Sequence, residues 1–155
     1  MTEKIVIKEW ICLCNIHKPQ TLIFPNVFID NFEADIIEIT KSGYIHEYEI
    51  KLTKEDFRHD SLKGSNHKYE HVNKQDIIIG GKYVNTFSYV VPKNMILVTD
   101  IPEYAGLIYF EKYRDRISFN IIKNAKRLSK DKLGDKRKEK CLLSTYYRFH
   151  SYFKK

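Results

Sequence analysis

The spacing of apolar positions changes character along this chain. Residues 3–14 set Ile7, Trp10, Ile11 and Cys14 at helical intervals, a stripe suited to packing on a sheet, and Pro19 closes the element. The pattern then turns to strands, a short one at "TLIFP" and two more at "ADIIEIT" and "YIHEYEIK". Thr53 with Asp56 three positions on has the spacing of a capping box and predicts a helix through roughly Leu62. Further strands are predicted at "YVNTFSYVV", "MILVT", "GLIYF" and "RISFNII", punctuated by Pro92, Pro102 and Gly106. From Lys123 the pattern becomes helical, with a break at Gly134. Helices alternating with strand runs predict an α/β (α+β) fold, a mixed sheet flanked by helices.

The two strands around Gly43 carry the most information. Lys41, Ser42 and Gly43 form a three-residue loop, with glycine where positive φ is needed. That loop pairs Thr40 with Tyr44 and sets Asp35 opposite Glu49, and Ile37 opposite Glu47. A two-residue loop would instead pair Asp35 with Ile50 and turn Glu49 to the other face; the glycine position favours the first register.

Length and composition narrow the setting. With 155 residues and a hydrophobic fraction of 43%, the chain suits one folded domain: a core over residues 1–122, extended by 123–155. No apolar run is long enough to cross a bilayer, and "MTEKIVIKEWICLCN" lacks a signal peptide's features, so the expected place is the cytoplasm. Cys12, Cys14 and Cys141 are few and odd in number, which fits ordinary buried thiols in a reducing compartment. Charge is concentrated at one end. Residues 123–155 hold 12 Lys and Arg against 3 Asp and Glu, a net of +9 in a chain of +7, so the first 122 residues carry −2 by difference. This suits either a polyanionic partner such as DNA or a solvated lysine-rich helix. Lys126, Arg127, Lys130, Lys136, Arg137 and Lys138 are the phosphate-contact candidates.

Chemistry gathers on the hairpin. Cross-strand Cβ atoms lie about 4.5–5.5 Å apart, so Asp35 and Glu49 would repel unless one is protonated or a cation lies between them. A hard divalent ion takes oxygen ligands of this kind. Lys51 projects from the same face and can orient a water or offset charge building on a phosphate. The plainer alternative is an exposed face on which Glu and Lys alternate with apolar residues.

Asp35 followed by Glu49-Ile50-Lys51 resembles the PD-(D/E)XK nuclease superfamily, with Ala34 in place of the motif's proline. Within it the likeness is strongest to small phage and bacterial MmcB-like, DNA-repair nuclease-like proteins. It is carried by Glu33-Ala34-Asp35, "EYEIK", Asp56-Phe57, Asp60, "FSYVVP" and "AGLIY", across most of residues 20–130. The resemblance implies a restriction-endonuclease-like core and metal-dependent hydrolysis of DNA phosphodiesters, in phage DNA processing or repair. Asp35, Glu49 and the Ile50 carbonyl would bind Mg²⁺ or Mn²⁺, and Lys51 would position the attacking water. A carboxylate from the first helix often joins such sites: Glu9 is the candidate, with Glu3 the alternative, and Glu33 and Glu47 are either supporting or solvent-exposed. Other readings are a nuclease-like fold that binds nucleic acid without cutting, or a phage protein that engages a host enzyme. A homodimer or a targeting partner is compatible with each.

Two remaining clusters admit plainer accounts. His67 and His71, four apart, lack a third ligand and suit a solvated helix face better than zinc. In the aromatic tail, Leu142, Leu143, Tyr146 and Tyr147 suit packing on the core or on a partner better than base stacking.

Overall fold

The structure is a computed structural model that describes residues 1–18, 20–29, 32–60, 78 and 84–152. Helix α1 (Glu3–His17) leads into strands β1 (Leu22–Ile29), β2 (Phe32–Ile39) and β3 (Ile45–Ile50), then helix α2 (Lys54–Asp60). Strands β4 (Thr86–Pro92), β5 (Gly106–Tyr113) and β6 (Arg116–Lys123) precede helix α3 (Asp135–Tyr152). The six strands form one sheet in chain order. Pairing is antiparallel except at β3–β4 and β4–β5, which run parallel. The fold is thus α+β, a mixed sheet with flanking helices.

Each face of the sheet has its own core. On one side Val6, Ile7, Trp10 and Cys14 of α1 pack on Ile36, Tyr48, Ile50, Val90, Ile108 and Phe110. The Trp10 ring stands 4.6 Å from Tyr48 and meets Phe119 edge-on at 4.9 Å. On the other side Ile37, Ile39, Ile45, Phe87, Tyr89, Val91 and Leu107 lie beneath Phe57 of α2, Cys141 of α3 and two leucines, Leu128 and Leu133. Strand β4, covered on both faces, reads as an almost unbroken apolar run, as central parallel strands do.

The hairpin forms in the glycine-directed register: Ile36 pairs with Tyr48, Ile37 with Glu47 and Ile39 with Ile45. Thr40 N–H donates to the Tyr44 carbonyl at 2.9 Å, and Gly43 adopts φ +85°. The Thr53 hydroxyl accepts from Asp56 N–H at 3.1 Å, starting α2 as expected.

Six expectations are corrected. Cys12, expected among the buried thiols, is exposed, because it falls off the buried stripe of α1. The strand expected at "TLIFP" runs on to Ile29, because antiparallel pairing with the whole of β2 satisfies its backbone. The segment "MILVT" is not a strand. After Pro92 the chain turns, and Val98–Asp100 form a 3-10 turn in which the Asp100 carboxylate accepts from Leu97 N–H at 2.7 Å. The connection between two parallel strands cannot itself lie in the sheet between them.

Residues 124–134 are not helical, because their backbone groups are engaged elsewhere. Lys126, Leu128 and Leu133 N–H groups donate to the carbonyls of Tyr104, Asn85 and Gly43, and the buried Asn85 amide donates to Ser129 and Asp131 carbonyls. Gly134 does not interrupt a helix. It starts α3, its carbonyl accepting from Arg137 and Lys138 N–H. Finally, Leu142, Leu143, Tyr146 and Tyr147 do not cover the core but face solvent. No described helix is long and apolar enough to cross a membrane.

Candidate acidic site at the end of the central hairpin

One residue beyond the Ile36–Tyr48 pair of the β2–β3 ladder, the register brings Asp35 opposite Glu49. The Asp35 carboxylate accepts a hydrogen bond from Ile50 N–H at 2.7 Å, which ties it to the end of β3. Glu49, 6% exposed, receives the Lys51 ammonium at 2.7 Å, and Lys51 is itself 6% exposed. Lys51 N–H also donates to Val90 of β4, so the lysine backbone is held at the end of the parallel pair. The three residues named from the sequence therefore meet in one place.

The electrostatics show what the cluster lacks. Burial, reinforced by the neighbouring Glu49 charge, pushes the Asp35 carboxyl up to about 7, although the Ile50 hydrogen bond and Lys51 pull it down. Glu3, in the first turn of α1, is also raised, by partial burial and then by Glu49, with Lys51 opposing. Among the described residues, the Lys51 ammonium pairs with Glu49 and its charge reaches both Asp35 and Glu3. Carboxylates crowded in this way repel one another, and their oxygen donors suit a hard divalent cation better than a soft one. Among the described residues no three of these side chains form a ready-made cage. A bound ion would draw on the Asp35 and Glu49 carboxylates, each of which also accepts a hydrogen bond, and on water. Mg²⁺ and Mn²⁺ tolerate that arrangement.

Glu3 is the carboxylate of α1 whose charge couples to this cluster. The reason is geometric. The stripe Val6, Ile7, Trp10 and Cys14 fixes which side of α1 faces the sheet, and the helix begins at the site end, which spacing alone could not reveal. Glu33 is exposed and pairs with Arg148 of α3 at 2.8 Å. Glu47 is wholly buried between Ile37 and Phe87, so it is neither a solvent group nor a surface alternation. Between α2 and the turn after β4, Lys54, Phe57, Arg58, Met95, Ile96 and Asp100 line a cavity of about 380 Å³ that no residue of the acidic cluster lines. His67 and His71 lie outside the described residues.

The basic candidates do not form one stripe. Lys126 pairs with Glu103, and the Arg127 guanidinium lies 4.6 Å over the Tyr44 ring. Lys130 is exposed in the irregular segment, Lys136 and Lys138 are exposed on the first turn of α3, and Arg137 is half-buried. A second polar cluster escaped the sequence reading. Glu38, 2% exposed on the α1 side of the sheet, accepts from Tyr48 Oη and from Lys18 Nζ, both at 2.9 Å. Its alternation with Ile37 and Ile39 suggested only a solvent-facing position.

No family model matches the chain, and no curated protein is significantly similar to it. Among solved structures it is similar to a protein of unknown function from Silicibacter pomeroyi, with 14% identity, a TM-score of 0.60, and coverage of 97% of this chain and 84% of that one. At that identity the likeness shows a shared fold alone.

Proposed function

We propose that this protein is a metal-dependent nuclease that hydrolyses phosphodiester bonds in DNA, with a restriction-endonuclease-like core. The observation that carries the reading is the convergence of Asp35, Glu49 and Lys51 at the end of β3: a buried Glu49–Lys51 pair beside a half-buried Asp35 that accepts from Ile50 N–H and feels the charge of both. Asp35 and Glu49, with the Ile50 carbonyl and Glu3, would hold Mg²⁺ or Mn²⁺. When bound, such an ion supplies Lewis acidity at the scissile phosphate and lowers the cost of deprotonating water.

The chain's own residues do the positioning. Lys51 Nζ, held against Glu49 at 2.7 Å, would donate to the attacking water or to a phosphate oxygen and offset the negative charge that grows there. Asp35 stays fixed by the hydrogen bond it accepts from Ile50 N–H at 2.7 Å. Lys54 and Arg58, on the helix that follows Lys51, would supply positive charge for the flanking phosphates.

The test is plasmid nicking by the purified protein in Mn²⁺ or Mg²⁺. Wild type should nick, whereas Lys51→Ala should not. Because that change strips Glu49 of a buried partner, which costs about 3–5 kcal/mol, Asp35→Asn serves as the second inactive variant. Binding in EDTA with no product in any divalent metal would overturn the reading, as would full activity in both variants.

A further inference from the structure

Helix α3 is amphipathic in the unexpected sense. Where it packs on β1, its inward stripe is Arg137, Cys141, Ser144, Thr145 and Arg148, and of these only Cys141 is fully buried. Its outward face carries Leu142, Leu143, Tyr146, Tyr147 and Phe149, each between 46% and 67% exposed. The rings are grouped: Tyr146 lies 5.7 Å from Tyr147 and 4.5 Å from His150. A helix serving only as cover would turn these residues inward. A contiguous exposed apolar surface of this kind marks a binding face.

Charge and position select the occupant. Residues 123–155 carry a net of +9, and Lys136, Lys138 and Lys140 stand on the same helix just ahead of the rings. A second copy docking through the same helix would bring like charge against like charge, whereas a polyanion would be attracted. The Arg148–Glu33 ion pair at 2.8 Å holds the aromatic half of α3 beside the start of β2, two residues from Asp35. Glu33 is in turn felt by Glu3 of the acidic site.

We propose that the outward face of α3 is a stacking platform for unpaired bases of a single-stranded nucleic acid. Its backbone follows Lys136, Lys138 and Lys140 while bases lie on Tyr146, Tyr147 and Phe149. Every base offers a flat π face to such rings whatever its sequence. The inference deepens the nuclease reading: the substrate is a single strand, or a duplex with an unpaired segment, led from α3 toward the acidic site.

The experiment is fluorescence anisotropy of the full chain with fluorescein-labelled oligo(dT) and with a blunt duplex, in EDTA at low salt so that cleavage plays no part. Oligo(dT) should bind more tightly than the duplex. The double variant Tyr146→Ala/Tyr147→Ala should weaken oligo(dT) on the order of tenfold or more. Its circular dichroism and melting temperature should match wild type, because both side chains are exposed, and Tyr146→Phe/Tyr147→Phe should retain binding. Equal oligo(dT) affinity in wild type and the alanine variant would overturn the proposal. So would a wild-type dimer in sedimentation, or binding to anionic vesicles, that the alanine variant loses while its oligo(dT) binding persists. Strand binding that survives alongside a failed nicking assay would count against the nuclease reading alone.

Discussion

Replacing Asp35 by Asn removes one of the carboxylates crowded at the end of β3 while keeping an oxygen to accept from Ile50 N–H. In the folded chain the Asp35 carboxyl titrates at about 7 instead of 3.8, mainly through burial and then the Glu49 charge. An acid whose folded pKa is raised binds its proton more tightly in the native state. It therefore destabilises the fold progressively as pH rises from the unfolded value through the folded one, and imposes its full cost above that. At about 1.4 kcal/mol per pH unit, the interval from 3.8 to about 7 sets a ceiling of roughly 4 kcal/mol.

Asp35→Asn should consequently stabilise the metal-free protein near pH 8 and leave it nearly unchanged near pH 4. At this chain length about 1 kcal/mol moves the melting temperature by roughly 2–4 °C, so a gain of several degrees is expected. Thermal melts of both proteins in EDTA across that range supply the comparison, with a second series in Mn²⁺. The ion should raise the wild-type melting temperature by binding the native state, and should raise the variant's far less. If Asp35→Asn melts at or below wild type at every pH, the crowding of buried acids is not what the structure implies. If both respond equally to Mn²⁺, Asp35 is not a ligand.

The contest between the two acids of α1 has a direct readout: Glu3→Gln should reduce the Mn²⁺-induced rise in melting temperature and Glu9→Gln should not, and the reverse outcome would restore Glu9. A purely structural prediction concerns Gly106, where an added Cβ would lie 2.5 Å from Ser88 Oγ and 2.9 Å from the Ala125 backbone nitrogen. Gly106→Ala should lower the urea midpoint by the equivalent of about 1–3 kcal/mol, and an unchanged midpoint would show that β4, β5 and the segment after β6 are less closely packed than described.

The local pattern was enough to determine the elements that depend on near neighbours. Gly43 set the hairpin register through a three-residue loop, Thr53 capped α2, and helical spacing marked the buried side of α1. The Asp35–Glu49 juxtaposition followed from that register, since strand alternation is rigid once the turn is known. Other features were decided by contacts distant in sequence, which no local period encodes. Helix-forming residues in 124–134 stay extended because Asn85, Tyr104 and Gly43 take up their backbone groups. The apolar run at "MILVT" became a turn because it bridges two parallel strands. Glu47 and Glu38 are buried because both faces of the sheet are covered, whereas alternation alone assumes one wet face. Glu3 gained its place at the site from where α1 lies across the sheet, and α3 shows its aromatic face to water because a polar stripe, held by Arg148 and Cys141, meets β1. Turn chemistry is local and legible in the chain; which face of an element meets the core is a property of the whole fold.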